Sequence, residues 1–169
     1  MNKVLLGLDP GLAETGWGVL SVERGRYRHI DHGSIVTDAS LSNGKRLSII
    51  YERIIEVIDT FKPQRAGIES LFFAKNRLSA IPVAQARGVL LLALEQRGVP
   101  SIEYPPQEIK QAITGNGRAE KMQVQELVKI LLSLPEIPKP DHAADALAAA
   151  ICCCNSITTA KLLTKALRG

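Results

Sequence analysis

The chain has 169 residues, 46% hydrophobic and 22% charged, which suits one globular domain with a sizeable core and is too short for two. Its 21 Lys and Arg against 17 Asp and Glu give a formal charge of +4, which permits a polyanionic partner without demanding one. The longest charge-free apolar stretches, 88–94 and 146–154, fall far below the roughly 18 to 20 residues of a membrane span, and no secretory signal opens the chain, so a cytoplasmic protein with no membrane partner is expected.

Residues 3–9 are almost continuously apolar and end on Asp9-Pro10-Gly11, the pattern of a strand buried on both faces that stops at a tight turn. Residues 16–22 and 27–36 read as two further strands separated by the polar Glu23-Arg24-Gly25-Arg26, which predicts an antiparallel meander. From Ser42 the period changes. Leu47, Ile50, Ile54, Ile58 and Phe61 recur at three and four residues, the stripe of an amphipathic helix stopped by Lys62-Pro63. A short apolar strand follows at 65–71, then a helix at 78–95 with Pro82 near its first turn and Gly98 beyond its end. Residues 101–104 form a fifth strand and 106–113 a short helix. The loop 114–118 leads into a helix at 121–134 with Met122, Leu127, Ile130, Leu131 and Leu134 inward. Pro135, Pro138 and Pro140 precede a last helix from Asp141 to about Cys154. This order predicts an α/β fold: a five-stranded mixed sheet, meander first and parallel strands after, with helices on both faces. The contiguous Cys152, Cys153 and Cys154 point about 100° apart on a helix, so they suit buried apolar positions better than a disulfide or zinc framework.

Three carboxylates stand where charge is costly. Asp9 ends a strand apolar on both faces, Glu69 lies inside Ala66-Gly67-Ile68-Glu69-Ser70-Leu71, and Asp145 interrupts the small apolar run 143–148. An isolated buried carboxylate costs several kcal/mol, so three of them call for a compensating cation, and a bound metal supplies one. Each has an ordinary alternative: Asp9 as a turn residue, Glu69 paired with Arg87, Asp145 on the wet side of its helix. Asp141 follows Pro140 at the helix start and is read as its N-cap. His142, three residues before Asp145, shares its helical face.

Leu8-Asp9-Pro10-Gly11, Thr15-Gly16-Trp17-Gly18, Ile68-Glu69 with Phe72-Phe73-Ala74-Lys75-Asn76, Gln85-Ala86-Arg87-Gly88 and Asp141-His142-Ala143-Ala144-Asp145-Ala146-Leu147-Ala148 together resemble the RuvC family of bacterial Holliday-junction resolvases, from about residue 3 to 155. The resemblance implies a ribonuclease H-like nuclease domain over 1–156 with a short basic tail at 157–169. It further implies a homodimer and symmetric, metal-dependent nicking of two opposed strands of four-way junction DNA, leaving 5′-phosphate and 3′-hydroxyl ends. It assigns Asp9, Glu69, His142 and Asp145 as catalytic residues and metal ligands for two Mg²⁺ ions. His142 departs from the family's all-acidic pattern. Because Mn²⁺ takes imidazole more readily than Mg²⁺, Mn²⁺ is expected to substitute.

By the same resemblance Phe72 stacks on a base, and Lys75, Arg77, Lys110, Arg118 and Lys121 line the DNA face, while Phe73 is assigned to the core. RuvA and RuvB, the branch-migration complex, are implied as partners. The apolar run 89–92 offers a candidate dimer surface. A ribonuclease H acting on RNA–DNA hybrids, which needs the same carboxylates, and a junction-binding protein without catalysis are the competing readings. Leaving the three carboxylates aside, 14 acidic residues stand against 21 basic ones, so the surface offered to DNA is more basic than the net charge suggests.

Overall fold

The structure, a computed structural model, describes residues 3–70 and 77–166, with side chains in the second stretch from 80 to 157. β1 (Lys3–Asp9), β2 (Glu14–Glu23) and β3 (Arg26–Val36) form the antiparallel meander. After α1 (Asn43–Phe61), β4 (Arg65–Glu69) pairs parallel to β1. After α2 (Arg77–Gln96), β5 (Ser101–Tyr104) pairs parallel to β4. The strand order is therefore β3-β2-β1-β4-β5, and β1 lies at the centre. α3 (Pro106–Thr114), α4 (Lys121–Leu131) and α5 (Asp141–Ala166) complete the chain.

Side chains alternate across a strand, and here they feed two cores. Leu6 and Leu8 of β1 join Val19, Ile68, Leu90 and the α1 stripe Ile50, Ile54 and Ile58 on one face. Leu5 joins Leu20, Tyr104, Val128, Leu147 and Ile151 on the other, beneath α3, α4 and α5. Ser42 caps α1 by accepting a hydrogen bond from the Lys45 N–H at 3.4 Å, and Lys62 ends it in the left-handed region at φ 48°. Cys152, Cys153 and Cys154 are free thiols in the second core, as their setting predicts.

Five expectations are corrected. The inward face of α4 is Val124, Gln125 and Val128, continued by Leu132, while Met122 and Ile130 are exposed at 61% and 65%. The seat of α4 is set by which arc meets α3 and α5, and apolar spacing alone offered two arcs. α4 also ends earlier, at Leu131, because Ser133 takes φ 53° and the Leu134 N–H turns back to the Lys129 carbonyl. α2 begins at Arg77, which puts Pro82 in its second turn. Asp141 is the first helical residue, and its carboxylate meets Lys139 and Lys121 at 3.2 and 3.3 Å. α5 runs without a break past Cys154 to Ala166.

Candidate active site

The sheet reaches α5 unusually closely because glycine lies wherever the helix would strike a side chain. A Cβ on Gly7 would stand 1.8 Å from the Ala146 carbonyl oxygen, one on Gly67 2.5 Å from that of Ala149, and one on Gly16 1.9 Å from that of His142. The alanines at 143, 144, 146 and 148–150 present almost nothing but backbone to the sheet. Period-two alternation then does the positioning. Asp9 is two residues beyond Gly7 and Glu69 two beyond Gly67, so both carboxylates project to the α5 face at the carboxyl ends of adjacent parallel strands. α5 delivers His142 and Asp145 to the same place.

The turn that follows β1 is held tightly. The buried Thr15 hydroxyl donates to the Gly11 carbonyl at 2.6 Å, and the Thr37 hydroxyl donates to that of Leu12 at 2.6 Å. Asp9 is 14% exposed, and its Oδ2 lies 2.6 Å from His142 Nδ1. Lys121 Nζ reaches from the start of α4 to Asp145 at 3.2 Å. A cavity of about 310 Å³ is bordered by Asp9, Glu69, His142 and Asp145 with Pro10 and Ser70. A second, of about 190 Å³, lies between Glu69, Asp145, Lys110 and Lys121 over the apolar Ile109, Val124 and Ala148.

Too much negative charge is gathered here for the cations present. Burial, then the Asp9 and Asp145 charges and a hydrogen bond with Asp9, push the Glu69 carboxyl up to about 8, against the pull of Lys121. Burial and Asp9 raise Asp145 in the same way, with Lys121 and His142 opposing. His142 is held above its usual value, chiefly by its hydrogen bond to Asp9, despite partial burial. A site that must keep a carboxyl protonated near neutral pH is short of positive charge, and hard oxygen donors with one imidazole are the donor set a divalent cation takes. As the side chains stand, no three His, Cys, Asp or Glu among the described residues close on a common point, since Asp9 is engaged by His142 and Asp145 by Lys121. A dication would replace those contacts.

All four predicted carboxylate and imidazole positions therefore meet. Lys110 and Lys121 border the site, while Arg118 is exposed on the loop between α3 and α4. Phe72, Phe73 and Lys75 lie outside the described residues, as does the side chain of Arg77. Arg87 is not the partner of Glu69: it forms a two-pronged ion pair with Glu103 of β5, 2.6 Å on its longer arm. Sequence reading missed Glu14, whose charge acts on His142, and it cast Lys121 only as a DNA contact. Glu14 lies one hairpin turn from Asp9, a signal available once β2 is paired with β1.

Comparison with known proteins bears on the same residues. The family described as "Crossover junction endodeoxyribonuclease RuvC" matches residues 5–153. The chain belongs to the RuvC family. The Treponema denticola RuvC, named a crossover junction endodeoxyribonuclease, is 54% identical over 151 residues, which are 89% of this chain and 85% of that protein. The solved RuvC of T. thermophilus in complex with Holliday junction substrate is 35% identical with a TM-score of 0.85, covering 89% of this chain and 92% of that one. The yeast mitochondrial Holliday junction resolvase, 13% identical with a TM-score of 0.62 over 88% of this chain and 76% of that one, shares the fold. RuvC family nucleases are metal-dependent, and the five-stranded mixed sheet with its helices is their ribonuclease H-like fold.

Proposed function

We propose that this chain is a structure-selective endonuclease that resolves four-way DNA junctions by nicking two opposed strands, leaving 5′-phosphate and 3′-hydroxyl ends, in recombination and repair. The observation that carries this is the meeting of Asp9, Glu69 and Asp145 at one end of the sheet, with Glu69 pushed up to about 8. On this reading Asp9, Glu69, His142 and Asp145 hold two divalent cations, Mg²⁺ or Mn²⁺. Bound cations would supply charge to the attacking and leaving oxygens of the phosphodiester. In the metal-free chain the Asp9 contact holds the His142 ring and makes it more basic; once a cation takes that contact, the imidazole either ligates the ion that would carry the attacking water or accepts that water's proton. Lys121 keeps Asp145 charged until a cation takes its place and, with Lys110, offers positive charge to the phosphate beside the site. By the family resemblance Arg118, Lys75 and Arg77 hold further phosphates, and Phe72 stacks on a base.

Junction cleavage by wild type and Asp9→Asn, with mapped product ends, tests the proposal. Asp9→Asn is expected to bind the junction and lose cleavage by more than about 100-fold. Retained cutting, or faster cleavage of an RNA–DNA hybrid than of a junction, defeats it. The imidazole among the ligands gives a separate expectation. Mn²⁺ supports cleavage at least as well as Mg²⁺, and His142→Asp moves the preference toward Mg²⁺ in a metal titration.

Two symmetric cuts need two copies related by a twofold axis, so the working form is a homodimer acting in the cytoplasm alongside RuvA and RuvB. The exposed side of α2 supports this assembly. Ile81 and Leu92 are 58% and 51% exposed, and Gly88 between them has open space where a Cβ would be.

A further inference from the structure

Away from the carboxylates, β3 carries His29-Ile30-Asp31-His32. On a regular strand, residues three apart project to opposite faces. Here the pairing slips between Val19 and Leu20: Leu20 pairs with His29 and Val19 with Asp31, leaving Ile30 as the extra residue of a β-bulge. The bulge returns His32 to the face of His29. Their partners, Leu20 and Gly18, stand two apart on β2 and both face α5, since Leu20 joins the α5 core and a Cβ on Gly18 would meet Leu147. His29 Nε2 lies 2.7 Å from His32 Nδ1, with ring centroids 4.9 Å apart at 65°. Burial and the neighbouring ring hold the His29 imidazole below its usual range, so it is neutral at pH 7. A bond between two ring nitrogens shares one proton and turns two lone pairs toward one point.

We propose that His29 and His32 bind one transition-metal dication of the Zn²⁺, Ni²⁺ or Co²⁺ class through His29 Nε2 and His32 Nδ1, with water completing its shell. Metal–imidazole bonds of about 2.0–2.1 Å set two cis nitrogens about 2.9–3.4 Å apart. The observed pair therefore opens by only a few tenths of an ångström, and the shared proton leaves to solvent. The bulge has done the ordering beforehand. The Asp31 carboxylate, which accepts from the His32 backbone N–H at 2.8 Å, steadies it. No third His, Cys, Asp or Glu joins them among the described residues. Two imidazoles suit borderline-soft ions and discriminate against Mg²⁺, which separates this site chemically from the carboxylate cluster. β2 separates β3 from β1 in the sheet, so an ion here clips the bulge of an edge strand and is distinct from the ions at Asp9.

The chain has three histidines, so ring-nitrogen NMR spectra of the full chain give each one a signal. Titration with Ni²⁺ alone is expected to broaden the His29 and His32 ring signals together, while excess Mg²⁺ leaves them unchanged. In parallel, Ni²⁺ raises the thermal midpoint of wild type by mass action. His29→Ala and His32→Ala each weaken Ni²⁺ binding at this site by at least about tenfold and lose the part of the rise that persists in excess Mg²⁺, which occupies the carboxylate cluster, whereas His142→Ala keeps that part. Independent broadening of the two rings, undiminished Ni²⁺ binding in His32→Ala, or loss of that part of the rise in His142→Ala would overturn the proposal.

Discussion

Glu69, Asp145 and His142 all take up protons more readily in the folded chain than in the unfolded one. The native state therefore binds the extra protons, and stability must fall as pH rises through the interval where these groups differ. For Glu69 that interval runs from about 4.5 to about 8. With chelator present, urea midpoints measured across this range should decline with pH, and Glu69→Gln should flatten the decline. A saturating divalent cation should also flatten it, since it compensates the same charge. A midpoint that rises from pH 5 to 8 without metal would contradict the charge excess. At this scale the site was largely legible in the sequence, because Asp9, Glu69 and Asp145 each interrupt an apolar segment that has no local use for a charge. The cations were not. Lys121 on Asp145 and Arg87 on Glu103 join residues distant in sequence or remote from any motif, and several exposed cations could have served equally well.

Among the elements, α5 against β1, β2 and β4 decides the site. The helix–sheet distance is set by Gly7, Gly16, Gly18 and Gly67 on one side and alanines on the other. Gly7→Ala brings a Cβ within 1.8 Å of the Ala146 backbone oxygen, a contact that no side-chain rotation relieves. α5 must move, carrying His142 and Asp145 with it. Such overpacking should cost at least about 3 kcal/mol in denaturant unfolding and depress cleavage further than the stability loss explains. Gly25→Ala, at a hairpin tip with open space around its Cβ but φ 78°, makes the comparison: it carries backbone strain alone and should leave cleavage intact. The strands and helices were legible because their periods differ and their stops are Gly and Pro. The seat of α4 was not, since Met122 and Ile130 satisfy an apolar spacing that the fold leaves in solvent, while Gln125 is buried on the face that packs.

At the scale of the molecule, three costly carboxylates are gathered at one place. The carboxylates lie in a pocket at the carboxyl ends of β1 and β4, with Lys110 and Lys121 at its border, and the remaining charge is strongly basic. One copy supplies one such pocket, and a four-way junction requires two cuts. The α2 face containing Ile81, Gly88 and Leu92 places exposed apolar residues and a glycine on one helical stripe, at spacings of seven and four. Its central glycine allows a second helix to approach closely. Leu92 is half exposed, so Leu92→Arg leaves the monomer core intact while placing like charges across the proposed twofold contact, where each copy would meet its own image. Light scattering should show the variant as a monomer with unchanged thermal unfolding at low concentration. On a supercoiled plasmid extruding a four-way junction, the variant should yield nicked circles where wild type yields linear product, because paired nicks require both active sites in one complex. Linear product from a monomeric variant would detach the α2 face from the symmetry of the reaction.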